Sequence, residues 1–284
     1  MENIKYYKFG LDKYINQFES DKNSGLYEYM LILNELQKID LYAKNGTFVV
    51  LNGLMTDKSI EDVELLIKNA HIKGAKAIYI VTDEVAFSNM ELMNKFDLVL
   101  HQAWHYDFED IKCKQAYSYV PELFFTGKID KPKYQHDLVF FCGNDKNRKD
   151  KIKQYLRDNG LCNLSTFSLI KTDDADERIE HTEYLKIQKM FKYSLMICRK
   201  SYRECGWITA RLIEAIDCWS HPIFDIDYDI NLAYANNDFV CSMSDVLDCL
   251  RKKENKRIND LLVLRVKVKE RRKKFKEQIL EFAK

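Results

Sequence analysis

The sequence predicts an α/β protein made of two parallel-sheet domains facing each other across a cleft, with a basic helical segment at the C-terminal end. Three observations carry this. Continuous apolar runs at 47–51 and 137–142 read as strands covered on both faces, because a strand with one wet face would alternate. Helix-like runs separate these strands, as parallel connections require. The pattern breaks at 127–134, where Gly, Lys, Asp and Pro cluster without periodicity, and restarts at Asp137.

Taken in order, residues 4–9 read as a strand and 25–39 as a helix with Leu26, Tyr29, Met30, Ile32 and Leu33 on its apolar side. Strand 47–51 follows. Ser59 is placed to cap the next helix, and Asp62 three residues on approximates a capping box. Residues 77–81 and 97–101 supply two more strands. After the linker come strand 137–142, loop 143–147, helix 148–158 and strand 164–169. An acidic loop at 173–180 leads to helix 184–190 and strand 194–198. A helix beginning near Thr209, a turn at Ser220, His221 and Pro222, and a short strand to Asp225 complete the pattern. The expected domains are 1–130, 131–250 and the basic segment 251–284.

A composition of 46% hydrophobic and 31% charged residues is that of a globular, water-soluble protein. No apolar run reaches the roughly 18 residues of a membrane span, and Met1 to Lys5 do not begin a signal peptide, so a cytoplasmic protein without membrane contact is expected. The eight cysteines form no CxxC pair, and Cys142, Cys198 and Cys218 lie in apolar or helical runs. They read as reduced, buried thiols. Charge is uneven: residues 251–284 hold 14 Lys or Arg against 5 Asp or Glu, while the first 250 hold 31 against 39. The tail therefore suits a polyanion. It equally reads as a terminal helix attached along Val266 and Val268 with its cations toward water.

Two stretches of the second domain suit a nucleotide diphosphate. Gly143 ends a strand, and Asn144, Lys146, Arg148, Lys149 and Lys151 follow as a helix starts. Glycine permits a tight turn there, backbone N–H groups face the crevice, and arginine grips a diphosphate through two bonds. Arg211 and Glu214, three apart, share one face of a helix whose other face is Leu212, Ile213, Ala215 and Ile216. Arginine at a helix start suits phosphate, and the glutamate can accept hydrogen bonds from ribose. The same pair also reads as a surface ion pair on an ordinary helix.

These residues resemble the GT-B class of nucleotide-sugar glycosyltransferases, and within it the small phage enzymes that glucosylate hydroxymethylated bases in DNA. The loop from Gly143 to Arg148 is similar to the diphosphate loop of that class. The segment Gly206, Trp207, Arg211, Glu214 and Ala215 is similar to its donor helix. The resemblance implies two Rossmann-like domains and an enzyme transferring glucose from UDP-glucose to the hydroxyl of a modified base in double-stranded DNA. It implies that Arg148 and Arg211 hold the diphosphate and Glu214 the ribose.

The first domain then carries the acceptor and the base. Asp83 and Glu84 lie just past strand 77–81, and an aspartate after a comparable strand is the general base in the enzymes resembled. Asp83 also reads as a helix cap or turn residue. His101, ending strand 97–101, competes for the role of base and also reads as a hydrogen-bonded histidine at the sheet rim. Trp104 or Tyr106 can stack on an extruded base while Gln102 reads its edge; Trp104 equally covers the end of the core. No spacing marks a metal site built from protein ligands. Mg2+ or Mn2+, where used, is expected to bridge the donor phosphates and one carboxylate. The same motifs fit a GT-B enzyme acting on a saccharide, protein or lipid, and a nucleotide-binding module without chemistry.

Overall fold

In the apolar strands every peptide group needs a lateral partner, and two parallel ladders supply them. The computed structural model describes residues 48–52, 59–72, 74, 76–81, 90–101, 115–118, 133–141, 150, 153–154, 156–158, 181–197, 210–225, 240–241, 246–251 and 254–283. Strands β1 (Phe48–Asn52), β2 (Lys76–Ile80), β3 (Leu98–His101) and β4 (Gln115–Ser118) pair in that order, all parallel. Strands β5 (His136–Val139), β6 (Phe191–Met196), β7 (His221–Asp225) and β8 (Val240–Cys241) form a second parallel sheet in sequence order. The helices are α1 (Ile60–Ile72), α2 (Met90–Met93), α3 (His181–Gln188), α4 (Ala210–Asp217), α5 (Val246–Leu250) and α6 (Glu254–Ala283). The elements expected at 4–9, 25–39, 127–132, 143–147, 164–169 and 173–180 lie outside the described residues.

The chain divides into two compact units. One comprises Met1–Glu122, Glu204–Ile208 and Lys269–Lys284, and the other Leu123–Arg203 and Thr209–Val268. Helix α6 is thus shared, its first half in the second unit and its last in the first.

In the first unit the central strands are buried on both faces, as their unbroken apolar sequence requires: Ala77, Ile78, Tyr79, Leu98, Val99 and Leu100 are all fully inaccessible. Ser59 caps α1, its Oγ accepting from Asp62 N at 3.1 Å. At the other end Gly74, with φ of 72°, takes the left-handed turn that lets the chain enter β2. Buried Asp97 ties these elements together. Its Oδ2 accepts from Ala77 N at 2.9 Å and lies 2.7 Å from Nε2 of His71 in the last turn of α1. The final turn of α6 docks here too. The ammonium of Lys76 donates to the carbonyl of Phe282 and sits 4.5 Å from its ring centroid, a cation at a helix C-terminus.

In the second unit, Val139, Phe141, Tyr184, Leu185, Phe191 and Cys218 form one buried cluster. Helix α6 turns Leu261, Leu264 and Val268 inward. Val266, expected on the attached face, is 55% exposed instead, because the burial period places it two residues from Val268 and on the other side. Nor do all the tail's cations face water. Arg257 is completely buried, its guanidinium 4.6 Å from the ring of Tyr134 and 5.5 Å from that of Tyr193. It donates to the carbonyls of Lys192 at 3.2 Å and Trp219 at 3.5 Å.

Replacing Arg257 with Met keeps the stem but removes both donors and the stacked cation. The variant should lose about 2–3 kcal/mol of stability, since the carbonyl of Lys192 is left without this donor and two ring faces lose their cation. Urea unfolding at pH 7 measures this. A midpoint equal to wild type would mean that relief of the buried charge offsets the whole loss.

Candidate functional site

The apolar stripe of α4 fixes how the helix lies. Leu212, Ile213, Ala215 and Ile216 are buried at 2% exposure or less, which pins the helix to the second sheet. The N-terminal end of α4 follows β6, so Arg211 in its first turn stands at the carboxyl edge of the strands. Its Nη1 donates to the carbonyl of Phe141 at 3.1 Å, two residues beyond β5. Ligands of open parallel sheets bind along this edge.

Glu214, one turn further, is only 6% exposed. The carboxylate therefore does not sit at the surface, as one reading of its spacing had it. Its charge acts on Tyr184 on α3 and on Cys218. Burial first, then the charge of Glu214, pushes the Tyr184 hydroxyl well above the usual range, with Arg211 acting in the opposite direction. The ring of Tyr184 meets that of Phe141 edge to face, with centroids 4.6 Å apart and an interplanar angle of 80°. Arg211, Glu214, Tyr184 and the Phe141 carbonyl thus gather at one edge. Tyr184 was not singled out by sequence, where it reads as one more apolar position of its helix.

The chain leaves α4 at Cys218 and Trp219, not at the turn expected over Ser220, His221 and Pro222, the last two of which begin β7. Trp219 adopts φ of 63°, and Ser220 N and Trp219 N bond back to the carbonyls of Ala215 at 2.9 Å and Ile216 at 3.2 Å. This is a Schellman stop with tryptophan where glycine is usual. Pro222 is tolerated because, among the described residues, β8 pairs with β7 only from Phe224 onward.

Cys218 is buried, with Sγ 3.6 Å from the Leu185 carbonyl. Burial and then the charge of Glu214 push its thiol upward from the ordinary 9.0. The native state thus keeps a proton that the unfolded chain releases. Stability is full below pH 9.0 and falls as pH rises above it. Urea titrations from pH 7 to 10 should show this fall, and Cys218→Ala should make it shallower. An unchanged slope in the variant would assign the effect to other groups.

His101 ends β3 in register with Ser118 and is 4% exposed, at the carboxyl edge of the first sheet. Asp83, Glu84, Gln102, Trp104, Tyr106, Gly143, Asn144 and Arg148 lie outside the described residues. Among the described residues no three His, Cys, Asp or Glu side chains gather as a metal site, and no helix is long and apolar enough to cross a membrane.

No protein-family model matches the sequence, and no curated protein sequence does. Solved structures do. T4 phage β-glucosyltransferase superposes with a TM-score of 0.52 at 14% identity, covering 90% of this chain and 92% of that one. The fold is that of a β-glucosyltransferase. Two further β-glucosyltransferase structures match at 14% identity with TM-scores of 0.48. One, described as a DNA-modifying enzyme studied with and without uridine diphosphoglucose, covers 89% of this chain and 93% of its own. The other, the T4 phage enzyme with UDP and Mn2+, covers 87% and 91%. The first alignment takes in nine-tenths of the chain, so it extends over both sheets.

Proposed function

We propose that the chain is a glycosyltransferase moving glucose from UDP-glucose to the hydroxyl of a modified base in double-stranded DNA. The observation that carries this reading is Arg211, fixed at the carboxyl edge of a parallel sheet in a chain with the β-glucosyltransferase fold. In the proposed reaction the base's hydroxyl oxygen forms a bond to the anomeric carbon. The bond from that carbon to the diphosphate breaks, and UDP leaves with the electron pair. Arg211 and Arg148 meet the charge that develops on the leaving oxygen. The hydroxyl's proton passes to Asp83. Glu214 accepts from the ribose, with Tyr184 beside it. Gly143 and Asn144 bring backbone N–H groups to the phosphates, while Gln102, Trp104 and Tyr106 receive the base. His101, being buried, fits a sheet-rim role better than an open base. Mg2+ or Mn2+ would enter with the donor phosphates.

Incubation with a panel of nucleotide sugars and hydroxymethylated duplex DNA, followed by digestion and mass measurement, tests this. A nucleoside heavier by one hexosyl unit is the expected product. Donor hydrolysis without DNA product would move the acceptor to another class, and neither product would leave a nucleotide-binding module.

The tail's part in DNA binding is narrower than its composition suggests. Arg257 and Arg265 are taken up inside the second unit. Lys269, Lys273 and Lys274 are exposed, beside exposed Glu270, Glu277 and Glu281. Changing these three lysines to Gln should lower the salt slope of duplex binding by about 2–3, near 0.9 for each phosphate no longer neutralised. An unchanged slope would leave α6 as an anchored, solvated helix.

A further inference from the structure

We propose that Arg265 is a positioning residue for the donor site: from α6 it fixes the C-terminal end of α4 and thereby sets where Arg211 and Glu214 stand. The proposal rests on the donor-site reading of α4 given above.

The reason lies in the carbonyls of a short helix. A helix leaves its last four carbonyls without partners in the regular ladder. In α4 the carbonyl of Glu214 keeps its ladder bond from Cys218 N at 2.9 Å, while Ser220 N serves that of Ala215 at 2.9 Å and Trp219 N that of Ile216 at 3.2 Å. Arg265 adds a donor at this end. Its Nη1 lies 3.0 Å from the carbonyl of Asp217 and 2.8 Å from that of Ile216. Its guanidinium also sits 4.4 Å from the ring centroid of Trp219, the residue held in the left-handed conformation. One side chain therefore supplies donors, a positive charge at the negative end of the helix, and a platform for the strained residue.

The consequence for the site follows from length. Helix α4 has 8 residues, too few to hold together without tertiary support. Arg211 and Glu214 are its second and fifth residues, so fraying of the last turn reaches the glutamate directly. Leu212, Ile213 and Ile216 hold the helix against the sheet, but apolar packing tolerates a small rotation or slide that a fixed terminus does not.

Arg265→Ala and Arg265→Lys are compared in the full chain, at a temperature where circular dichroism shows all forms folded. Two readouts are taken: hydrogen exchange of the amides of residues 212–220, and UDP affinity by calorimetry together with the donor's KM and kcat. Arg265→Ala should exchange at least about tenfold faster across α4 and bind UDP about tenfold more weakly, raising KM and, through Arg211, lowering kcat. Arg265→Lys, which keeps a donor and the charge, should recover part of both. Wild-type exchange in the Ala variant would overturn the proposal. So would faster exchange with unaltered UDP affinity and KM, which would make Arg265 a cap and nothing more. If the wild-type chain itself bound no UDP, the donor reading would fail instead, and exchange alone would decide whether Arg265 sets the helix.

Discussion

Asp83→Asn should lower turnover by roughly 10²–10⁴ while leaving donor binding near its wild-type value. The substitution keeps the size and hydrogen bonding of the side chain and removes only its basicity. A primary hydroxyl is a weak nucleophile until a carboxylate accepts its proton, and the loss falls on that step. The pairing of β2 with β3 continues to Val81, whose N–H donates to the carbonyl of Leu100 at 2.8 Å, so in sequence Asp83 comes two residues after the last ladder bond among the described residues. That is where a parallel sheet delivers reactive groups. Single-turnover glucosylation of hydroxymethylated DNA, paired with UDP titration, separates the outcomes. Turnover near wild type would shift the role to His101 or Glu84. A lowered unfolding midpoint with intact chemistry would make Asp83 a structural cap.

Arg211→Ala should cost about 2–4 kcal/mol of transition-state stabilisation, a 30- to 1,000-fold loss of rate. The guanidinium is already held by the carbonyl of Phe141, so in the proposed reaction it would meet the diphosphate with little reorganisation. Lysine is no substitute, because it lacks the planar fork and cannot keep that bond while serving two phosphate oxygens. Glu214→Ala should act mainly on donor affinity. Steady-state kinetics with varied donor checks both, and unchanged donor KM and turnover in the two variants would remove the site from α4.

The parallel strands were legible because burial on both faces leaves an unbroken apolar run, and the strands around 48–51, 77–80, 98–101, 194–196 and 223–225 stand where such runs predicted them. The capping of α1 by Ser59 was legible from local chemistry alone. The end of α4 was not. Sequence rules expect glycine at a left-handed helix stop and read Ser220, His221 and Pro222 as turn formers, whereas the fold holds Trp219 in that conformation through Arg265 and through Tyr134, whose hydroxyl donates to the Trp219 carbonyl at 2.8 Å. The placing of Arg211 and Glu214 on one helix was visible through their spacing. Tyr184 was hidden because nothing local separates a tyrosine beside a carboxylate from one that only fills space. Arg257 and Arg265 were hidden inside a basic run, since composition counts charges and cannot say which of them turn inward.

The sharing of α6 has a consequence for biosynthesis. Lys76 meets Phe282 across 206 residues, and the whole second sheet is translated between them. The first unit, begun first on the ribosome, receives its last segment only after the second has been made. A chain emerging vectorially would thus complete its units in the reverse of the order in which it starts them, and until then the carboxyl-terminal docking site around Lys76 waits open to chaperones.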